Sequence, residues 1–97
     1  MKKLRSKKKG KFWVYIVECK DKTYYAGYTV NLIARLKCHN DGLASKYTRA
    51  RLPVRFVWMK EYDQLSAALK AEIAIKKLMR SQKRSLINAG KLKDLSG

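Results

Sequence analysis

Lys11-Phe12-Trp13-Val14-Tyr15-Ile16-Val17-Glu18-Cys19-Lys20-Asp21-Lys22-Thr23-Tyr24-Tyr25-Ala26-Gly27-Tyr28-Thr29 is the stretch on which the fold turns. Side chains alternate between the two faces of a strand. Trp13, Tyr15 and Val17 therefore share one face, and Phe12, Val14 and Ile16 the other. Both sets are apolar or aromatic, so Lys11 to Glu18 predicts a strand covered on both sides and central in its sheet. Lys20-Asp21-Lys22 is a polar turn, and Thr23 to Thr29 is a second strand-forming run. So short a connection makes the pair an antiparallel hairpin.

Working outward, Thr29 or Asn31 can cap a helix over 31–40, which Asn40-Asp41-Gly42 stops. Residues 41–53 read as a basic loop with Lys46, Tyr47, Thr48, Arg49 and Arg51, ended by Pro53. Val54 to Glu61 predicts a third strand, Val54, Phe56 and Trp58 alternating with Arg55, Val57 and Met59. Asp63 or Ser66 can cap a helix over 66–79. A last helix runs from Ser81 to Ala89, with Gly90 as its stop. The order β-β-α-β-α-α predicts an α+β fold, a three-stranded antiparallel sheet flanked by helices. The domain then covers residues 11–90, with a disordered basic arm over 1–10 and a structureless tail over 91–97.

A chain of 97 residues can bury one modest core. It has no apolar run of about 18 residues, so no membrane-spanning helix is expected. Met1 to Gly10 is basic like the start of a signal peptide, but Phe12 to Val17 is too short an apolar region, so secretion is not expected. Cys19 and Cys38 make neither a disulfide framework nor a zinc site; two reduced thiols in a cytoplasmic protein are expected. Lys and Arg number 24 against 7 Asp and Glu, a formal net charge of +17. Seven of the cations fall in the first eleven positions. The remaining 17 still outnumber the 7 acids, so the body is basic as well. A polyanion follows as partner, because each cation seated on a phosphate releases condensed counterions. Nucleic acid is the first expectation; an anionic membrane, ribosomal RNA or simple solubility would use the same charge.

Three groups of residues carry chemistry. At roughly 100° per residue, Leu65, Ala68, Leu69, Ile75 and Met79 fall within about 60° of Glu72, which puts this carboxylate inside the core-facing stripe. A buried glutamate needs compensation. Lys76 one turn on can pair with it, a rotated helix can leave it at the rim, or it lines a cleft and binds a divalent cation. Arg35 and His39 stack on one helix face beside Leu32 and Leu36. There a guanidinium can fork two phosphate oxygens and an imidazole can move a proton; an ordinary surface arginine and a boundary histidine have the same spacing. Tyr15, Tyr24, Tyr25 and Tyr28 cluster on the hairpin, where Gly27 permits a close approach. Phenols can orient water or donate to phosphate, and strands favour tyrosine in any case.

Taken in order, these residues resemble the GIY-YIG nuclease superfamily. Trp13-Val14-Tyr15-Ile16 stands in place of its first motif and Tyr25-Ala26-Gly27, ten residues on, in place of its second. Arg35 follows Gly27 by eight residues, His39 comes four later, and Glu72 lies on the helix after the third strand. Residues 11–87 are covered. Tyr47-Thr48-Arg49 and the Glu72 to Leu78 helix resemble the small stand-alone bacterial members. Trp13 and Ala26 depart from the motifs at positions that supply no functional side chain. Tyr28 stands where several members carry lysine.

The resemblance implies DNA phosphodiester hydrolysis with one Mg²⁺ or Mn²⁺ held by Glu72. Arg35 would stabilise charge on the phosphate, Tyr25 would activate water, Tyr15 would orient water or phosphate, and His39 would assist as base or phosphate contact. Tyr28, Lys37, Lys46, Tyr47, Arg49 and Arg51 are the expected nucleic-acid contacts. Lacking a separate DNA-reading domain, the chain is expected to act by DNA structure or through a protein partner, in repair or recombination, and as a monomer. The alternative is a DNA- or RNA-binding module without chemistry on the same fold.

Overall fold

The computed structural model describes the backbone of residues 11–96 and the side chains of residues 11–90; the arm expected over 1–10 lies outside the described residues. β1 (Phe12–Glu18) is the central strand, as its double-sided apolar pattern requires. It pairs antiparallel with β2 (Tyr24–Thr29), Tyr15 opposite Gly27 and Val17 opposite Tyr25. On its other edge it pairs antiparallel with β3 (Arg55–Tyr62), giving the order β2-β1-β3.

Helices cover both faces. α3 (Leu65–Lys76) and α4 (Arg80–Ser96) lie over one, where Ala68, Ile75 and Ile87 pack against Val14, Ile16 and Ala26. Burying an isoleucine or valine fully contributes roughly 1.5–3 kcal/mol, so this layer holds much of the chain's stability. α1 (Leu32–Asn40) lies over the opposite face, where Leu32 and Leu36 meet Tyr15, Val17, Val54 and Phe56. The Asn31 side chain caps α1 by accepting from the Ala34 N–H at 3.0 Å. At its far end, Asn40 bonds both backbone groups of Val54, at 3.1 and 2.8 Å, and so ties α1 to the approach of β3.

Four local expectations are corrected. The basic loop over 41–53 contains a short helix, α2 (Lys46–Arg49), because Ser45 accepts from the Thr48 N–H and caps it. A bulge offsets β3 between Ile16 and Val17, so Val57 and Trp58 both face the α3–α4 layer while Phe56 faces α1. That one extra residue breaks the alternation expected for Val54, Phe56 and Trp58. The α3 helix ends at Lys76, and neither Asp63 nor Ser66 caps it: Gln64 stands at the cap position without a side-chain bond. Finally, Gly90 does not stop the last helix, which continues to Ser96 through the expected tail. A Cβ at Gly90 would meet Trp58 Cδ1 at 3.5 Å, an ordinary contact. The helix carries the glycine at a cost of about 1 kcal/mol.

Candidate active site

Where the hairpin, α1 and α3 meet, an open cleft of about 270 Å³ is lined by Tyr15, Tyr25, Gly27, Tyr28, Thr29, Val30, Arg35 and Glu72. Each element delivers its side chain for a local reason. Tyr15 and Tyr25 follow from strand alternation on the α1 side of the hairpin. Arg35 sits one turn past the Asn31 cap, and Glu72 lies on the α3 turn that crosses the end of β2. Gly27 is needed because the Tyr15 ring passes directly over it: a Cβ there would lie 2.6 Å from the Tyr15 hydroxyl and 2.9 Å from Cζ.

Glu72 is partly exposed, and its Oε2 faces Lys76 Nζ at 3.6 Å. The pairing and the cleft, weighed as alternatives, therefore coexist. The stripe assigned to Glu72 is only half correct, since Ala68 and Ile75 are buried while Leu65 and Met79 are exposed. Lys76 Nζ also lies 5.4 Å from the centre of the Tyr25 ring. Of the cations around the cleft, Arg35 has no carboxylate within salt-bridge distance among the described residues. Its charge acts on both Tyr15 and His39.

Behind the cleft runs a buried polar chain. Tyr15 Oη lies 2.9 Å from His39 Nε2, His39 Nδ1 lies 3.0 Å from Thr48 Oγ1, and Thr48 Oγ1 lies 2.9 Å from Ser45 Oγ. His39 is 1% exposed and Thr48 fully buried. His39 is not among the residues that line the cleft, so the phosphate contact expected of it is not available. It stands behind Tyr15, with both ring nitrogens engaged. Burial first, and the Arg35 charge second, hold its pKa below the ordinary imidazole value, so it is neutral at pH 7. Burial likewise pushes the Tyr15 phenol well above its ordinary pKa; Arg35 pulls the other way, while Tyr25 and Glu72 add to the rise. A phenol is the stronger donor and a neutral imidazole the better acceptor. Tyr15 therefore donates to Nε2, Nδ1–H donates to Thr48, and the phenol's lone pairs face the cleft.

The remaining expected contacts divide. Tyr28 lines the cleft. Tyr47 stacks on Tyr25 with centroids 6.1 Å apart, extending the aromatic wall outward. Lys46 and Arg49 are exposed on α2. Lys37 is paired with Asp41 at 2.6 Å. Arg51 is bound to Asp21 at 3.1 Å and to the Tyr47 carbonyl at 2.8 Å, its guanidinium 4.0 Å above the Tyr47 ring. Arg51 thus braces Tyr47, and its charge is largely spoken for. Sequence reasoning gave Thr48 and Ser45 no role. The available signal was Ser45 three residues before Thr48, a capping pattern that also turns Thr48 inward.

A divalent cation fits the donor set in one manner. Among the described residues no three His, Cys, Asp or Glu side chains gather as ligands, so a closed protein cage of the zinc type is not built. Glu72 offers a single hard carboxylate on an open cleft, which suits an ion such as Mg²⁺ that keeps water and phosphate in most of its positions.

Comparison with known proteins identifies the family. The family model of the GIY-YIG catalytic domain matches residues 11–85. A UPF0213 protein of Syntrophus aciditrophicus (strain SB) is 50% identical over 78 residues, 79% of this chain and 90% of the relative. A UPF0213 protein of Clostridium perfringens is 44% identical over 82 residues, 84% of this chain and 88% of the relative. Among solved structures, the solution NMR structure of a UPF0213 protein from Bacillus halodurans is similar at a TM-score of 0.55 and 38% identity, covering 81% of this chain and 84% of that one. The solution NMR structure of the protein EF2693 from E. faecalis is similar at a TM-score of 0.59 and 35% identity, covering 88% of this chain and 93% of that one. With a match across most of its length and relatives this similar, the chain belongs to the GIY-YIG catalytic domain family.

Proposed function

We propose that this protein is an endonuclease that hydrolyses DNA phosphodiester bonds with a divalent cation, Mg²⁺ or Mn²⁺, held by Glu72. One observation carries the reading: Tyr15, Tyr25, Arg35 and Glu72, from four separate elements, line the same solvent-open cleft. Water attacks phosphorus, the P–O bond to the leaving strand breaks, and the leaving alkoxide takes a proton from solvent. The attacking water gives its proton to the Tyr15 oxygen as Tyr15 passes its own to His39 Nε2. The exchange is concerted because burial disfavours a free phenolate here. This reassigns water activation from Tyr25 to Tyr15, since Tyr15 has a proton acceptor behind it. Tyr25 then orients the phosphate, and Arg35 neutralises the charge that develops on it. The bound cation would supply Lewis-acid neutralisation of the same charge. A role selective for DNA structure, or directed by a protein partner in repair or recombination, is part of the same reading.

The test is incubation of nicked, forked and supercoiled DNA with Mg²⁺ or Mn²⁺, beside Glu72→Ala. Cleavage by the wild type alone supports the proposal; cleavage that survives the substitution refutes it. Arg35→Ala is expected to lower single-turnover cleavage by roughly 10²–10³-fold with a smaller change in affinity, because other cations hold the DNA. A second reading, a DNA- or RNA-binding module without chemistry, is favoured by the Glu72–Lys76 pair, in which an ammonium already sits where a cation would approach. Salt-sensitive binding without cleavage on any substrate would select it.

A further inference from the structure

From Lys76 to Gly90 the chain carries five cations, Lys76, Lys77, Arg80, Lys83 and Arg84, and no carboxylate. Two of them, with Thr23, Tyr24 and Tyr47, line a groove of about 200 Å³ between the hairpin turn and α4. Arg80 Nη2 donates to the Lys22 carbonyl at 3.0 Å, and Lys83 Nζ donates to the Leu78 carbonyl at 3.1 Å. Neutral carbonyls fix both cations in place without cancelling their charge, and each keeps further N–H groups free. Lys37, Arg51 and Arg55 differ in this respect, because each faces a carboxylate within 3.1 Å.

The groove is continuous with its neighbours. Tyr47 joins it to the cleft, since its ring stacks on Tyr25. Arg80 joins it to a wider concavity of about 470 Å³ with Met79, Ser81 and Arg84. Among the described residues that line the three, Glu72 is the sole acid, and the cations along them repel one another until a polyanion is bound. The groove itself brings Arg80 and Lys83 together with Tyr24 and Tyr47. Tyr24 and Tyr47 give it the aromatic wall that single-strand sites pair with positive charge.

We infer that this groove holds the single-stranded flank of the DNA whose phosphodiester lies in the cleft, with phosphates on Lys83 and Arg80. The inference rests on the nuclease reading for what the cleft holds. Its test uses the full chain with Glu72→Ala, so that no turnover is required. Affinity for forked DNA with single-stranded arms is measured against salt concentration and compared with a blunt duplex.

Losing two phosphate contacts makes the log–log slope shallower by about 1.4, from about 0.7 per phosphate on single strands. That is the expected result for Arg80→Gln/Lys83→Gln on forked DNA, with no change on the blunt duplex. Arg80→Lys/Lys83→Arg, which keeps both charges, is expected to restore the slope. Lys60→Gln/Lys70→Gln, an equal loss of charge elsewhere, is expected to leave it unaltered. If the double glutamine variant does not fold, Lys83→Gln alone is expected to show a change of about 0.7. An unchanged slope on forked DNA overturns the inference, as does an equal loss on blunt duplex or an equal loss in the Lys60/Lys70 pair. A slope change in a chain that never cleaves sinks only the nuclease reading. Cleavage by the wild type with no slope change sinks only the groove.

Discussion

On one side of the sheet, α3 and α4 close over Val14, Ile16, Ala26, Ala68, Ile75 and Ile87, side chains without a polar atom. On the other side, α1 and α2 close over Tyr15, His39 and Thr48, each almost wholly buried and each hydrogen-bonded. Both layers exclude water, with different consequences. The apolar layer gains free energy from burial itself and tolerates repacking so long as volume is kept. The α1 side has apolar members of its own, Val17 and Val54 among them, but its polar chain gains little from burial and depends on every partner being present, because an unsatisfied group there has no water to turn to. In return it fixes the direction in which the Tyr15 hydroxyl points, and burial is what shifts its pKa. The comparison teaches that alternate residues of β1 serve different ends, Val14 and Ile16 filling an apolar layer and Tyr15 a hydrogen-bonded one, while Glu72 reaches the cleft from α3.

The largest expected effect is on the apolar side. Ile16→Ala should cost about 2–5 kcal/mol, measured by denaturant unfolding, with the cleavage rate of the folded fraction unaltered. A parallel loss of rate would break the division between the faces. Next, Gly27→Ala drives a methyl into Tyr15 and should cost about 1–3 kcal/mol. It should lower cleavage further than the unfolded fraction explains, because Tyr15 must turn away from His39.

Thr48→Val leaves His39 Nδ1 unpaired in the interior, at about 1–3 kcal/mol, whereas Thr48→Ser should retain most of the stability and rate. His39 is the sole histidine, so its ¹⁵N shifts read the tautomer without ambiguity. A proton on Nε2 in the wild type would reverse the direction assigned to the chain.

The smallest effect is a pH dependence. The folded state holds the His39 pKa below that of the unfolded chain. Its contribution to stability is therefore complete above about pH 6.5 and is lost as pH falls through the folded pKa. Melting temperature should fall as pH drops below about 6.5, and His39→Gln should flatten that part of the profile. An unchanged profile would mean that His39 protonates as freely as in the unfolded chain.

The sequence by itself determined the sheet and its centre, because an apolar set on both faces of Phe12–Glu18 has no other stable place. It also proposed Tyr15, Tyr25, Arg35 and Glu72 as site residues, through the resemblance of their order and spacing to the GIY-YIG motifs. Only the tertiary structure decided that His39 lies behind Tyr15 rather than beside the phosphate. Helix angle places a residue on a face, but the depth of that face depends on α2, which the chain reaches only after the turn at Gly42. The bulge in β3 arises where that strand pairs with β1, and α4 continues past Gly90, whose cost inside a helix is only about 1 kcal/mol.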